Sequence, residues 1–302
     1  VYFILSPRLD GGPANCNEAV KQAGAWMQNL FEELERKGFQ IEFSSHAKAI
    51  LSVDFPAAAA ELVEALSATT IPIEEIIAGG GGEAKGTQRL RRSLAALGWR
   101  KMNFVVERRI NGIPSESQSH EVDHVREFGE QGRLALEIEW NNKDPFFDRD
   151  LENYKRLHAD GAISIGFIVT RGRSLHEGMR GLVRRFLEER QIRDVSGLVE
   201  WGYNPTPRQL KAITERTVRA KNPVNFHDAF TDKFVADKFG EATTHWRKLD
   251  DRLRRGVGNP CPLVLIGLPA TIVTFDEGKS ALAEVERAEA EAEAEGGQQP
   301  SS

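Results

Sequence analysis

Between residues 17 and 38, Val20, Ala23, Met27, Leu30, Phe31 and Leu34 recur at helical spacing and the run stops at a glycine, which predicts an amphipathic helix. FQIEF, 39–43, alternates like a strand, and PAAAAELVEALSA predicts a second helix before AGGGGEAKGT, whose four consecutive glycines mark a joint. TQRLRRSLAALG places Leu90, Leu94 and Leu97 on one helical face. MNFVVE, HEVDHV, RLALEIEW and AISIGFIV then read as four strands, with the helix DRDLENYKRLHADG between the last two. SLHEGMRGLVRRFLEERQ predicts a further helix and CPLVLIG, 261–267, a late strand. Three strands in succession, a crossover helix and another strand predict an α/β fold with a mixed central β-sheet flanked by helices.

Composition adds limits. The 302 residues, 40% hydrophobic, are enough for a sizeable core. No apolar run approaches the ~18 residues of a membrane span, and VYFIL is short for a signal peptide and lacks a basic flank, so no membrane association and a cytoplasmic location are expected. Cys16 and Cys261, far apart and outside any CxxC spacing, read as reduced core cysteines. The GxxxxGK[ST] phosphate loop is absent. Charge is segregated: residues 284–295 hold six Glu against one Arg and so account for the whole net charge of -5. Residues 84–104 carry six Lys or Arg and no acid, and residues 206–260 carry twelve basic against seven acidic side chains, a distribution that can build a positive surface. The chain divides into a helical N-terminal part (1–78), a main core (79–280) and an acidic low-complexity tail (281–302).

Two stretches carry candidate chemistry. HEVDH, 120–124, fits the zinc pattern HExxH, with His120 and His124 as ligands and Glu121 as base, but that pattern needs a helix to bring both imidazoles to one ion. NGIPSESQS before it and REFGEQG after it do not sustain a helix, and no third ligand motif follows. As a strand, the segment puts His120, Val122 and His124 on one face and Glu121 and Asp123 on the other. In LALEIEW the same period puts Glu137 and Glu139 side by side. At ~6 Å and an effective dielectric of about 20 two carboxylates repel by about 3 kcal/mol, and a hydrated divalent cation answers that repulsion. Magnesium, held by one or two carboxylates and completed by water and phosphate oxygens, suits Asp123, Glu137 and Glu139.

GWRKMNF, the acid of HEVDHV, LEIEWNN and GAISIGFIVTRG together resemble the BglII/BamHI-like type II restriction endonucleases of the PD-(D/E)xK nuclease superfamily. The resemblance covers roughly Gly81 to Gly172, is weaker in TTHWRKLDDRLRRG, and leaves the first 75 residues without a motif. It implies a restriction-endonuclease-like core over 79–280 with DNA-binding segments, and sequence-specific, Mg²⁺-dependent hydrolysis of double-stranded DNA at a short palindrome, leaving 5′ phosphates. By that resemblance Asp123 and Glu137 match the two metal-binding acids. Glu139 matches the position that is lysine in most of the superfamily, Glu in BamHI-like and Gln in BglII-like members. Asn103 matches an upstream polar active-site residue.

Asn141 and Asn142, with Lys143 after them, fall where the family places major-groove contacts, and an Asn amide suits adenine. His245, Arg247, Lys248, Arg252, Arg254 and Arg255, with Trp246 among them, suit phosphate clamping. The family further implies homodimers pairing through helices 148–159 and 175–190, a cognate DNA methyltransferase as functional partner, and targets that often hold a central GATC. Phe147, Leu151, Tyr154 and Leu157 on the first helix, with Leu182, Val183, Phe186 and Leu187 on the second, also suffice for packing within the chain. The alternatives from other classes are the HExxH zinc hydrolase and a DNA-binding protein that keeps the nuclease fold without cleavage.

Overall fold

A stretch with few polar residues, IGFIVTR, becomes β6 (Ile165–Arg171), and every residue of it is buried. A strand covered on both faces has no solvent side to alternate towards. It pairs in parallel with β5 (Arg133–Glu139) on one side and β7 (Leu263–Leu268) on the other. β1 (Gln40–Ser44) pairs antiparallel with β7, while β4 (Ile113–Glu127) and β3 (Arg100–Ile110) continue antiparallel beyond β5. The mixed sheet thus has six strands in the order β1-β7-β6-β5-β4-β3. The computed structural model describes residues 31–78 and 84–275. Residues 31–36 are helical, but most of the helix expected over 17–38, Cys16, the glycine run from Gly79 and the acidic tail lie outside the described residues.

Helices cover both faces, as the crossover connections require. Against one face lie α1 (Ala47–Asp54), α2 (Pro56–Ser67), α4 (Lys85–Ala96), α6 (Arg173–Glu189) and α9 (Phe226–Phe239). Their buried Leu51, Leu62, Leu90, Val183 and Phe230 share the larger core with Leu136, Phe167, Val169 and Ile266 of the sheet. Against the other face lie α5 (Phe146–Ala159) and α10 (Trp246–Arg254), whose Phe147, Leu151, Tyr154 and Leu249 pack on Ala135, Ile168 and Leu265. Short helices α3 (Ile73–Ile77) and α7 (Val195–Val199), the Thr206-capped α8 (Pro207–Val218) and a two-stranded parallel sheet of β2 (Ile71–Pro72) and β8 (Val273–Thr274) complete the fold. The apolar side chains of α5 and α6 are therefore buried against their own sheet. No helix among the described residues is long and apolar enough to cross a membrane.

α5 sits close to the sheet because β6 gives way to it. A Cβ at Gly166 would lie 2.4 Å from the Tyr154 ring, and the Tyr154 hydroxyl donates to the Phe167 carbonyl at 2.9 Å. That depth of docking brings the polar positions of α5 next to the end of β5.

β3 and β4 run well past the strands expected at 102–107 and 120–125 and meet at Asn111–Gly112, both with positive φ (53° and 81°). Asn-Gly suits the tight turn whose twist matches an antiparallel ribbon. The register of this hairpin shifts once near its base: Met102 faces Val122 but Arg100 faces Val125, so β4 carries one extra residue there. This bulge decides the geometry of HEVDH.

Candidate active site

The bulge breaks the alternation that HEVDH would otherwise show. Val122 and Val125 both enter the core beneath α5, and His120 reaches the same side, its ring nitrogens 2.9 and 3.0 Å from Asn153 Nδ2 of α5. His124 instead stands opposite Leu136, whose side chain belongs to the larger core, with its Nδ1 3.2 Å from the Leu136 carbonyl. The expectation that His120 and His124 share a face is therefore corrected. A strand with a bulge sends them to opposite sides of the sheet, and they cannot form a zinc pair. Burial lowers the pKa of His124, which stays a neutral core group.

The paired ladder of β4 and β5 ends at His124 and Leu136. The next pair in register is Asp123 and Glu137, where the strands have parted enough for the Glu137 carboxylate to accept from the Asp123 backbone N–H. Asp123 itself is exposed, with Lys101 Nζ 3.8 Å away. Glu137 and Glu139 point from β5 towards α5 and are almost fully buried, 4% and 3% exposed. Asn142 Nδ2 donates to Glu139 at 2.8 Å, and the Thr170 hydroxyl donates to the Glu139 backbone carbonyl at 2.7 Å.

A third buried acid completes the group. Asp150, fully buried on α5, is bound by Arg149 at 2.8 Å and lies within hydrogen-bonding distance of the Glu139 carboxyl. Two acids make that bond only when one of them holds a proton. Burial first, then the charges of Asp150 and Asp123, push Glu137 up to about 9. Burial and Asp150 likewise raise Glu139, and burial raises Asp150. Arg149 is the only cation among the described residues within salt-bridge distance of these three acids, at 3.7 Å from Glu139 and 2.8 Å from Asp150. Desolvated, crowded oxygen ligands with too little positive charge nearby are what a hard divalent cation satisfies. The chemistry of the donors fits such an ion, but no three of Asp123, Glu137, Glu139 and Asp150 bring ligand atoms within 4.8 Å of one another, so an ion would draw the carboxylates together.

Sequence reasoning missed Asp150. Its signal was present: Phe147, Asp150, Leu151 and Tyr154 fall at i, i+3, i+4 and i+7, so an acid interrupts the apolar stripe of α5. Asn103 is the opposite case. It alternates with Met102 and Phe104, which pack beneath α5, so its exposed side chain points to the other face, opposite Glu121. The fold does not gather it with the buried acids Glu137, Glu139 and Asp150, which face α5.

The two stretches expected to touch DNA are brought together by the backbone. Lys143 and Thr243 form an antiparallel bridge, Thr244 N–H donates to the Asn142 carbonyl at 2.8 Å, and Asp144 N–H donates to the Ala242 carbonyl at 3.0 Å. Buried Arg171 locks this junction, donating to the carbonyls of Trp140 (2.7 Å) and Thr244 (2.7 Å) and to the Thr243 hydroxyl (2.6 Å). Burial lowers its pKa to about 9, which leaves it charged at neutral pH. Asn142, Lys143, Arg247, Arg254 and Arg255 are exposed, with Asn141 and Lys248 half-buried; Lys248 Nζ is 3.6 Å from Asp144. His245 and Arg252 are turned inward, contrary to their expected place among surface contacts. His245 is stacked on His176, and Arg252 is bound to Asp148 at 2.7 Å and to the Lys248 carbonyl at 2.9 Å, joining α10 to α5. Burial, then His176 and Arg171, pull His245 down to about 3, so it is a neutral imidazole.

Residues 39–268 match the family model described as restriction endonuclease BglII/BglIII. The chain belongs to the BglII/BglIII restriction endonuclease family. The match runs from the start of β1 through β7, so it takes in the whole six-stranded sheet and every acid of the site. Comparison with curated proteins finds no match. As a member of this family the protein is a type II site-specific deoxyribonuclease acting on double-stranded DNA, and divalent metal ions are generally required in the family.

Proposed function

We propose that this BglII/BglIII-family nuclease hydrolyses both strands of a short palindrome with magnesium as cofactor, acting as a homodimer and leaving 5′ phosphates and 3′ hydroxyls. The observation that carries the proposal is the crowding of Glu137, Glu139 and Asp150, buried and short of positive charge, beside the exposed carboxylate of Asp123. Asp123 and Glu137 would hold the magnesium, with Glu139 and Asp150 next to them. When bound, the ion polarises the phosphate and acidifies its water.

Each side chain has a task consistent with its surroundings. With the ion's charge driving off the proton that Glu139 and Asp150 share in its absence, Glu139, held by Asn142, would accept the proton of the attacking water and pass it into the restored bond with Asp150. Arg149 holds Asp150 in place and offsets part of the local negative charge. The exposed amides at 141–142 and the cations Lys143, Arg247, Lys248, Arg254 and Arg255 would meet the DNA, phosphates fixing register and bases specifying the site. A palindrome presents the same contacts twice, which a two-fold dimer matches with one set of side chains. A cognate methyltransferase protecting that palindrome would be the functional partner.

Supercoiled and linear phage DNA should be cut into discrete fragments with magnesium and left intact with chelator, and sequencing of the ends should show one palindrome with 5′ phosphates. Full cleavage by Glu137→Ala would overturn the mechanism. Specific binding in calcium with no cleavage in magnesium would reduce the protein to a binding module.

A further inference from the structure

A second group of ligand atoms lies outside the acidic site. His176 stands in the first turns of α6, Glu241 in the loop after α9, and His245 at the N-cap of α10. One ligand atom from each lies within 4.8 Å of the others. His176 Nε2 is 3.6 Å from Glu241 Oε1, and His245 Nε2 is 3.7 Å from Glu241 Oε2. His245 is 1% exposed, and neither of its ring nitrogens has a hydrogen-bond partner.

An imidazole that is buried with both nitrogens unpaired is unusual, because each loses its water without replacement. A structural histidine is normally oriented by a bond through at least one nitrogen, whereas here the His245 ring is stacked on the parallel ring of His176, 3.7 Å away at 5°, and its nearest carboxylate, Glu241, stands beyond hydrogen-bond distance at 3.7 Å. Two aromatic nitrogens and one carboxylate differ in kind from the all-oxygen set of Glu137, Glu139 and Asp150. Nitrogen-rich sites favour zinc and similar borderline ions, while magnesium prefers oxygen. From this geometry we propose that His176, Glu241 and His245 form a second metal site, for zinc or a similar transition-metal ion, that clips α6 to the loop between α9 and α10.

The surroundings allow that role. A cleft of about 450 Å³ lined in part by Arg173, His176, Arg180, Glu241 and His245 reaches the site, so water can supply the remaining ligand. A metal lies in the plane of each imidazole that binds it, so the two rings must tilt out of their parallel stack. His176 Nδ1 now faces the donor Arg171 Nη1 at 3.3 Å, and because Nδ1 carries the proton when Nε2 is a ligand, that contact would have to open on metal binding. Arg247 pairs directly with Glu241 Oε2, the oxygen nearest His245, so the ion would displace that guanidinium from the carboxylate, and the charge of Arg171 also opposes the ion. The clip would act on the loop whose Thr243 and Thr244 pair with Lys143 and Asn142, and so stiffen the DNA-facing junction without touching the acids.

The experiment uses the full chain freed of metal and titrated with zinc in the presence of millimolar magnesium, with bound metal counted after equilibrium dialysis. The triple variant Glu137→Gln, Glu139→Gln, Asp150→Asn should still bind about one zinc per chain, and cobalt in its place should show the visible absorption of a nitrogen-ligated tetrahedral ion. Zinc should raise the Tm of this variant. Glu241→Gln, an exposed change that the fold should tolerate, and His245→Asn should each weaken zinc at least tenfold and abolish the Tm rise. No zinc in the triple variant, or undiminished zinc in Glu241→Gln, would overturn the site. Because the readout is metal content in a chain lacking the acids, it stands or falls separately from the magnesium mechanism.

Discussion

Asp150 is the residue whose role changes most between sequence and structure. It lies on the buried face of α5, where an acid without a purpose would be selected against on stability grounds alone, since desolvating a charge is unfavourable. Asp150→Asn keeps the shape but removes the partner that shares a proton with Glu139. Cleavage should fall on the order of 10–100-fold or more, as for supporting groups at metal sites, while the Tm in chelator stays level or rises. Single-turnover cleavage and calorimetry check both halves; a collapse in Tm with the loss of activity would make Asp150 structural. Cys261 is a simpler case. Its thiol is fully buried and pushed up to about 12 by burial, so at pH 8 it is protonated and shielded. Alkylation of the native chain should spare Cys261 until denaturant is added, as read by peptide mass spectrometry; rapid labelling of the native form would contradict the packing.

At the scale of elements, α10 is the part of the expected DNA-binding segment whose cations divide in function. Arg252 is bound across the gap to Asp148 of α5, while among the described residues Arg254 pairs with Asp250 of its own helix and Arg255 donates to the Asp251 carbonyl. Arg252→Met should lower stability by about 1–3 kcal/mol in urea denaturation, less than a fully buried pair because Asp148 is half exposed, and Arg254→Ala should change it little. Equal effects at the two positions would remove the distinction. The β3–β4 hairpin shows the other limit of reading by element. Its outer half is exposed on both faces, Ile110 and Ile113 beside the turn included, so no buried face imposes an alternation there, and Asn111–Gly112 marks where the two strands meet.

For the whole molecule, the net charge of -5 conceals the relevant surface. The negative charge is concentrated in residues 284–295, while the junction of 141–143 with 247–255 presents cations on one side of the folded chain. DNA affinity should fall steeply as salt rises. If Lys143 and Arg247 each meet a phosphate as proposed, Lys143→Ala or Arg247→Ala should reduce the slope of log K against log salt by about one. A fluorescence-anisotropy series at several salt concentrations measures this, and an unchanged slope in both variants would move the DNA elsewhere.

The order of helices and strands, the mixed sheet and the two acids of β5 were legible in the sequence, because period-two and period-3.6 patterns follow directly from backbone geometry. Family membership was legible for the same reason, since its motifs sit on those elements. The facing of HEVDH was not. A single extra residue in β4, set by pairing with β3, reverses the side on which His124 falls, and no local pattern announces a bulge. Nor could local pattern place Asp150 beside Glu139, turn His245 and Arg252 inward, or join residues 142–144 to 242–244. Each of these depends on how closely α5 and α10 dock against the sheet, which is decided by contacts between residues far apart in the chain.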